Sequence, residues 1–178
     1  MNSNSETSSP PDTNLGNANA PPPAVPYMAR TRGYYRAMGY KQDFTWATFD
    51  DEPFTPLAQD LAQTRVALVT TAGPSHWGGA TTLNERAVWS GATTSAPAPF
   101  FTDLAWDKES THVRDPESYA PLAALQGLAE SGVIGSFSTQ FHSVPTRYSH
   151  RRTLRDDAPE ILQRCRADSV QAVVLTAL

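Results

Sequence analysis

The first residue with a possible catalytic role is a histidine in an apolar and hydroxyl-containing segment. His142 lies in Phe141-His142-Ser143-Val144-Pro145, and we place it just after a strand. A histidine at a strand end could act as a general acid or base, or favour a nearby thiolate, because its ordinary pKa is close to neutral pH. The alternative is a hydrogen-bonded loop histidine without a chemical role.

A polar loop supplies a second group of candidates. Asp107, Lys108 and His112 follow the apolar segment Phe100–Trp106 and could bind a carboxylate or an amine. The alternative is a solvated loop, and an Asp107–Lys108 pair at the surface would contribute little stability.

A basic segment ahead of the last helix forms the third group. Tyr148, Arg151 and Arg152 lie there, and an arginine can hold a carboxylate through two parallel hydrogen bonds. Charges at a helix end or a subunit interface are the alternative. The segment is too short to indicate RNA binding.

The remaining candidates favour structural interpretations. His76 lies in a glycine-rich loop and could line a pocket or form an exposed tip, and Cys165, the single cysteine, lies on a helix and should be a small core residue. The four histidines are too far apart for a metal site, and nucleotide-binding glycine motifs are absent, so we expect neither.

Apolar runs closed by turns predict the strands that must position these residues. Val66–Thr70, ended by Gly73, and Ala172–Thr176 both have the pattern of buried parallel strands. Phe100–Trp106 and Val133–Phe137 are further predicted strands, whereas residues 74–99 predict a long loop with one short helical piece near Leu83–Val88.

Three helices alternate with these strands. The first begins near Pro26 and stops at Gly39, and the second begins at Asp115-Pro116-Glu117 and ends at Gly132. A third is capped by Asp156 or Asp157. The alternation predicts an α/β fold, with a mostly parallel, Rossmann-like, doubly wound sheet in a single domain.

Composition predicts the bounds of the tail and the domain, and it argues against nucleic acid and membranes as partners. Sixteen of the first 23 residues are Pro, Asn, Ser or Thr, so residues 1–25 predict a disordered tail before a domain at 26–178. The net charge of −4 does not suggest nucleic acid or an anionic membrane as a partner. No apolar run is long enough to span a membrane, and one cysteine indicates a cytoplasmic protein.

The sequence resembles a known family over about residues 26–178. The segments Pro26–Tyr35, Asp51–Leu57 and Arg65–Gly73 resemble the N-terminal part of the selenoprotein B family of glycine, sarcosine, betaine and D-proline reductases. Short matches follow in the same order, and those around His142 and Arg151 are closest to the D-proline-reductase branch. They are Trp106–His112, Gly132–Gly135, Phe141–Thr153, Asp157–Pro159 and Ala172–Leu175.

The resemblance implies a reductase that cleaves a C–N bond of a small amino acid or amine with electrons from a dithiol. A selenolate is the nucleophile, and a pyruvoyl group on a partner reductase subunit can activate the amine. His142 would support the nucleophile, and Asp107, Lys108, His112, Tyr148, Arg151 and Arg152 would bind substrate. Ser143 stands where the family pattern has glycine.

The family's selenocysteine or cysteine would come just after Leu178, the last residue of this sequence. We therefore expect a reading frame cut at a UGA codon, which the genomic sequence after the Leu178 codon would decide. The alternative is a non-catalytic binding or assembly module, in which an exposed sheet pairs with a partner chain or forms homo-oligomers.

Overall fold

The computed structural model describes residues 24–43, 45, 48, 50–51, 55–74, 77–80, 82, 85–94, 109, 114–146 and 149–177. The predicted disordered tail and the predicted strand at Phe100–Trp106 lie outside these residues. The chain separates into two units, Met1–Thr48 and Phe49–Leu178, which are described one at a time.

In the described part of the first unit the chain forms one helix, α1 (Tyr27–Ala37), at the predicted position. It follows Pro26 and stops before Gly39, whose φ of 90° suits a residue without a side chain. Arg36 donates two hydrogen bonds to the carboxylate of Asp43, at 2.9 and 2.6 Å, which ties the segment after the helix back to its last turn.

The second unit is an α/β fold with an open, mostly parallel sheet, as predicted. The strands among its described residues are β1 (Arg65–Thr70), β2 (Trp89–Ala92), β3 (Ser136–Phe137), β4 (Gln140–Ser143) and β5 (Ala172–Thr176). β1 is central and parallel to β3, β4 and β5, and β2 pairs antiparallel with β4.

The sheet register places β3 and β4 end to end along one edge of β1. β5 pairs with β1 from Val66 to Thr70, so β3 and β4 must both use the opposite edge. The strand is interrupted at Ser138 and Thr139, where the Ser138 hydroxyl oxygen lies 2.7 Å from the Gln140 carbonyl oxygen. This interruption leaves a gap between β3 and β4 beside β1.

Helices cover both faces of the sheet. The helix α2 (Leu122–Glu130) packs Leu122 and Leu125 into a cluster with Leu68 and Phe141. Because side chains alternate along a strand, His142 points to the opposite face, where α4 (Ala158–Ala167) lies.

Two predictions for residues 89–122 are wrong. Residues 89–92, placed in a long loop, form β2, because tertiary pairing with β4 overrides their weak strand propensity. Asp115–Glu117 was predicted to start a helix but belongs to a separate 3₁₀ turn, Pro116–Ser118. The α-helix starts at Leu122, where Glu117 accepts the free N–H groups of Ala123 and Ala124.

The last helix also starts earlier than predicted. Ser149 caps α3 (His150–Arg152) by accepting the Arg152 N–H, and a π-helical turn, Thr153–Asp157, leads into α4. Asp157 is therefore a buried residue inside the helical segment and not its cap. The prediction failed because Ser149 is the first residue that can satisfy the free N–H groups of this segment.

β5 is a strand as predicted, but it is not buried on both faces. Ala172 and Val174 pack against the core cluster, whereas Val173 is 40% exposed and Leu175 is 76% exposed. An apolar run can belong to a central or an edge strand, and the run itself does not distinguish the two.

Candidate functional site

A groove between the interrupted strand and the end of α4 brings a histidine, an arginine and an aspartate together. It has a volume of about 270 Å³. Its walls are Ser138, Thr139, Gln140 and His142 from the strand side, and Arg164, Ala167 and Asp168 from the helix side. Drug-sized ligands occupy pockets of ~300–1,000 Å³, so this groove suits a smaller molecule.

His142 forms the buried end of the groove. It lies within β4, so the prediction that it follows a strand is wrong, and it is only 3% exposed. Its Nδ1 lies 2.8 Å from the Ser90 hydroxyl. Burial lowers the pKa of His142, the positive charge of Arg164 lowers it further, and Asp168 opposes both. The ring is therefore neutral at pH 7 and can accept or donate a proton.

Arg164 is the cation of the groove and is held on two sides. Its Nε donates to Glu160 one turn earlier at 2.8 Å, and its Nη1 donates to the Ser90 hydroxyl at 2.6 Å. These contacts, with an Nη2–Glu160 distance of 2.7 Å, use three of the five guanidinium N–H groups. Two donors remain without a partner in the part of the chain that the structure describes.

Asp168 is the anion of the groove. Its carboxylate accepts hydrogen bonds from Arg65 Nη2 at 2.7 and 2.8 Å and from the Ser138 hydroxyl at 2.7 Å. The hydrogen bonds from Arg65 are the first cause of its lowered pKa, with Ser138 contributing, so Asp168 stays ionised well below neutral pH. The carboxylate is thus fixed at the C-terminal end of α4.

The arrangement can recognise a small molecule that carries opposite charges. Arg164 provides N–H donors for a carboxylate, Asp168 provides an acceptor for an amine, and the neutral His142 imidazole lies between strand and helix as a proton carrier. Each charged group already has a partner of opposite charge, Glu160 or Arg65, so the pair of charges is fixed in position before any ligand binds.

The carboxyl end of the sheet is closed by structural hydrogen bonds. The hydroxyls of Thr70 and Thr176 both donate to the buried Tyr119 carbonyl at 2.7 Å, and Ser143 donates to the Ala72 carbonyl. In parallel sheets this end usually binds ligands. Here, among the described residues, its hydroxyl groups connect strands β1, β4 and β5 to the loops that cover them.

A second cavity, of about 410 Å³, lies beside β2. Trp77, Val88 and Trp89 are among its walls, and Trp77 Nε1 donates to the Ala87 carbonyl at 2.7 Å. The walls that the structure describes contain one ionisable side chain, Glu85. This cavity therefore has fewer charged or proton-transferring side chains in its described walls than the groove has.

Of the predicted site residues that the structure describes, one lines the groove and two do not. His142 lines the groove, but Arg151 and Arg152 lie on α3 and do not, and Arg152 is 3.9 Å from Asp156 in its own helical segment. Five other candidates lie outside the described residues: Asp107, Lys108, His112, Tyr148 and His76. The substrate-binding role of the two arginines therefore has no support from the groove.

The groove depends on residues that the sequence pattern did not reveal. Arg164 and Asp168 share a helix face at a spacing of four, which a search for helical charge pairs could have found. Nothing in the sequence connects them with Ser90, which is 74 residues from Arg164 and meets it only through the pairing of β2 with β4.

Cys165 is a core residue, as the sequence indicated. It is buried, and burial, with a smaller contribution from Asp168, raises the pKa of its thiol. A thiol with a raised pKa carries little thiolate at neutral pH, so Cys165 is a poor nucleophile.

No family model, curated protein or solved structure matches this chain. Within the described residues, no helix is long and apolar enough to cross a membrane, and no group of three or more His, Cys, Asp or Glu side chains is arranged to hold a metal ion. The groove is therefore interpreted from its own chemistry.

Stability should fall on mild acidification because of His142. Folding lowers the pKa of His142 below its ordinary 6.5, so the unfolded chain binds more protons below about pH 6.5. The free energy of unfolding therefore falls as the pH falls through this range. Asp168, whose pKa is also lowered, adds a further loss only below about its ordinary value of 3.8. Urea unfolding at pH 7.5 and 5.5 measures the first effect.

His142→Gln should remove part of the loss between pH 7.5 and 5.5, since glutamine does not titrate. His150→Gln is the matched control, because His150 is exposed on α3 and should leave the loss unchanged. An identical pH dependence of wild type and His142→Gln would contradict the interpretation.

Proposed function

We propose that this chain is a subunit of a reductase of the selenoprotein B type, which cleaves a C–N bond of a small amino acid such as D-proline, glycine, sarcosine or betaine. The selenolate, the dithiol donor, the partner subunit's pyruvoyl group and a cytoplasmic location belong to the same proposal. Its first support is the ordered resemblance, whose segments Arg65–Gly73, Phe141–Thr153 and Ala172–Leu175 include the central strand and two of its neighbours.

The groove is the single observation that carries the substrate part of the proposal. A small amino acid has a carboxylate and an amine a short distance apart, and the groove has Arg164 and Asp168 one helical turn apart on its wall. The guanidinium would bind the carboxylate, and the Asp168 carboxylate would bind the amine. His142 would then lie beside the bound molecule, where it could accept or return a proton during C–N cleavage.

Binding of glycine tests the substrate part. We expect glycine to bind more tightly than acetate or methylammonium, because only glycine carries both charges. Arg164→Gln and Asp168→Asn should each weaken binding by about tenfold or more, the effect of losing one charge-assisted hydrogen bond. Isothermal titration calorimetry or NMR titration measures these affinities.

Arg166→Gln is the matched control for that experiment, because Arg166 is an exposed arginine on the same helix and does not line the groove. Its affinity for glycine should equal that of the wild type. If none of glycine, D-proline, sarcosine and betaine binds at millimolar concentration, the substrate part fails.

Turnover tests the reaction itself. The gene should be expressed with selenium and the product incubated with a dithiol and each of the four candidate substrates. We expect release of the amine product, or ring opening for D-proline, that depends on the dithiol. A product that binds substrate but shows no dithiol-dependent cleavage would contradict the reductase proposal while leaving the binding site intact.

One observation favours the alternative of an assembly module. Gln171–Thr176 carries no charge, β5 pairs only with β1 among the described strands, and the outer residue Leu175 is 76% exposed. Antiparallel pairing of β5 with a second copy would bring no like charges together and would cover this side chain. Size-exclusion chromatography with light scattering tests it, and a stable monomer would contradict it.

A further inference from the structure

The hydrogen bonds around Ser90 determine which nitrogen of His142 carries the proton. The Ser90 hydroxyl has two neighbours in the described part of the chain: Arg164 Nη1 at 2.6 Å and His142 Nδ1 at 2.8 Å. A hydroxyl offers one hydrogen and two lone pairs. Arginine can only donate, so its N–H uses one of the lone pairs.

The remaining hydrogen of Ser90 then needs an acceptor. If Nδ1 of His142 carried the proton, both neighbours would donate to Ser90, and the hydroxyl hydrogen would have no acceptor. If Nδ1 is unprotonated, Ser90 donates its hydrogen to Nδ1. The hydroxyl, Nδ1 and the Arg164 Nη1–H then each have a hydrogen-bond partner. Half-buried polar groups in folded proteins strongly favour the satisfied arrangement.

We propose that Ser90 is a positioning residue that holds His142 in the tautomer with its proton on Nε2, so that the groove receives an N–H donor at its buried end. His142 lines the groove and is 97% buried, and Nε2 has no hydrogen-bond partner within the described ranges. Arg164 assists because it donates to Ser90 and cannot accept, which leaves Nδ1 as the acceptor for the Ser90 hydrogen.

This tautomer determines which ligand atom can meet the ring. Nε2–H and the two remaining N–H groups of Arg164 are all donors, so they match an acceptor oxygen, such as that of a carboxylate or carbonyl group. An ammonium group would be directed to Asp168 instead. This consequence for ligand specificity rests on the proposed function, whereas the tautomer is a property of the protein without ligand.

Nitrogen-15 NMR of the ligand-free protein at pH 7.5 tests the tautomer. Long-range ¹H–¹⁵N spectra distinguish a protonated ring nitrogen from an unprotonated one, and His142→Gln identifies the His142 signals among those of the four histidines. We expect an unprotonated Nδ1 and a protonated Nε2. A protonated Nδ1 in the wild type would overturn the proposal.

Variants of Ser90 test the cause. Ser90→Ala should move the two nitrogen shifts toward each other, as both tautomers become populated, and Ser90→Thr, which keeps the hydroxyl, should restore the wild-type pattern. Ser131→Ala, which removes an exposed hydroxyl at the end of α2, is the control and should change neither shift. An unchanged tautomer in folded Ser90→Ala would overturn the role of Ser90.

If Ser90→Ala does not fold, the wild-type and Ser90→Thr spectra still decide the tautomer, and different patterns in the two would count against Ser90. Failure of the proposed function is separate. Absence of glycine binding in a protein that shows the expected tautomer would reject the substrate and leave the role of Ser90 supported.

Discussion

Phe141→Ala should lower the free energy of unfolding by about 3–5 kcal/mol, the usual cost of removing a buried phenylalanine ring. Phe141 is 1% exposed and packs in the cluster of Leu68, Leu122 and Leu125. Its ring also meets Trp89 edge to face, with the ring centres 5.7 Å apart. The side chain thus joins β4, β2 and α2, and alanine would leave a cavity among all three.

Urea unfolding followed by circular dichroism measures this loss. Leu154→Ala is the matched control, because Leu154 is 67% exposed and its replacement should change stability by no more than about 0.5 kcal/mol. A loss below about 1 kcal/mol for Phe141→Ala would show that the cluster does not have the packing described here.

Phe141→Ala should also disturb the groove. Phe141 precedes His142 in β4, so a shift of the strand would alter the distance between His142 Nδ1 and Ser90. Phe141→Leu, which retains much of the buried volume, should cost less and leave the groove closer to its native geometry.

Gly135→Ala should be the second strongly destabilising change, with a loss of about 1–3 kcal/mol or more from overpacking. A methyl group on Gly135 would lie 2.5 Å from the Gln63 carbonyl carbon and 2.7 Å from the Thr64 nitrogen. Both are backbone atoms, so neither can rotate away. The Gly135 N–H, at 3.0 Å from both the Leu61 and the Thr64 carbonyl, holds the two segments at this short distance.

Gly127→Ala provides a matched control with the opposite expected sign. Gly127 lies within α2, and apart from its neighbours in that helix no described atom would lie within 4 Å of an added methyl group. Alanine in a helix interior is favoured over glycine by about 0.5–1 kcal/mol, so this variant should be more stable than the wild type. Thermal unfolding of both variants gives the comparison, and equal stabilities would contradict the close contact at Gly135.

Local sequence signals predicted the elements that carry strong patterns. The apolar run Val66–Thr70 and the run Ala172–Thr176 are strands, and Gly132, with a φ of 74°, ends α2 as expected. The class of fold follows from their alternation with helices. Each of these signals comes from side chains within a few residues of one another, which is why the sequence contains them.

The elements that failed depend on distant partners. β2 has little strand character of its own and exists because Trp89–Ala92 pairs with Gln140–Ser143. The helix α2 starts at Leu122 and not at the predicted Asp115, because Glu117 accepts the free N–H groups of its first turn. In both cases a contact made in the folded chain overrides a plausible local preference.

The residues of the candidate site also fall into those that local sequence indicates and those that only distant contacts bring together. The sequence by itself determined that the chain has an α/β fold with a central apolar strand, and that His142 is a residue with useful chemistry. Only the tertiary structure decided that His142 is buried and neutral, and that Ser90, Arg164 and Asp168 surround it. The physical reason is that charge recognition needs groups brought together across strands and helices, and strand pairing and helix packing, not sequence spacing, set those distances.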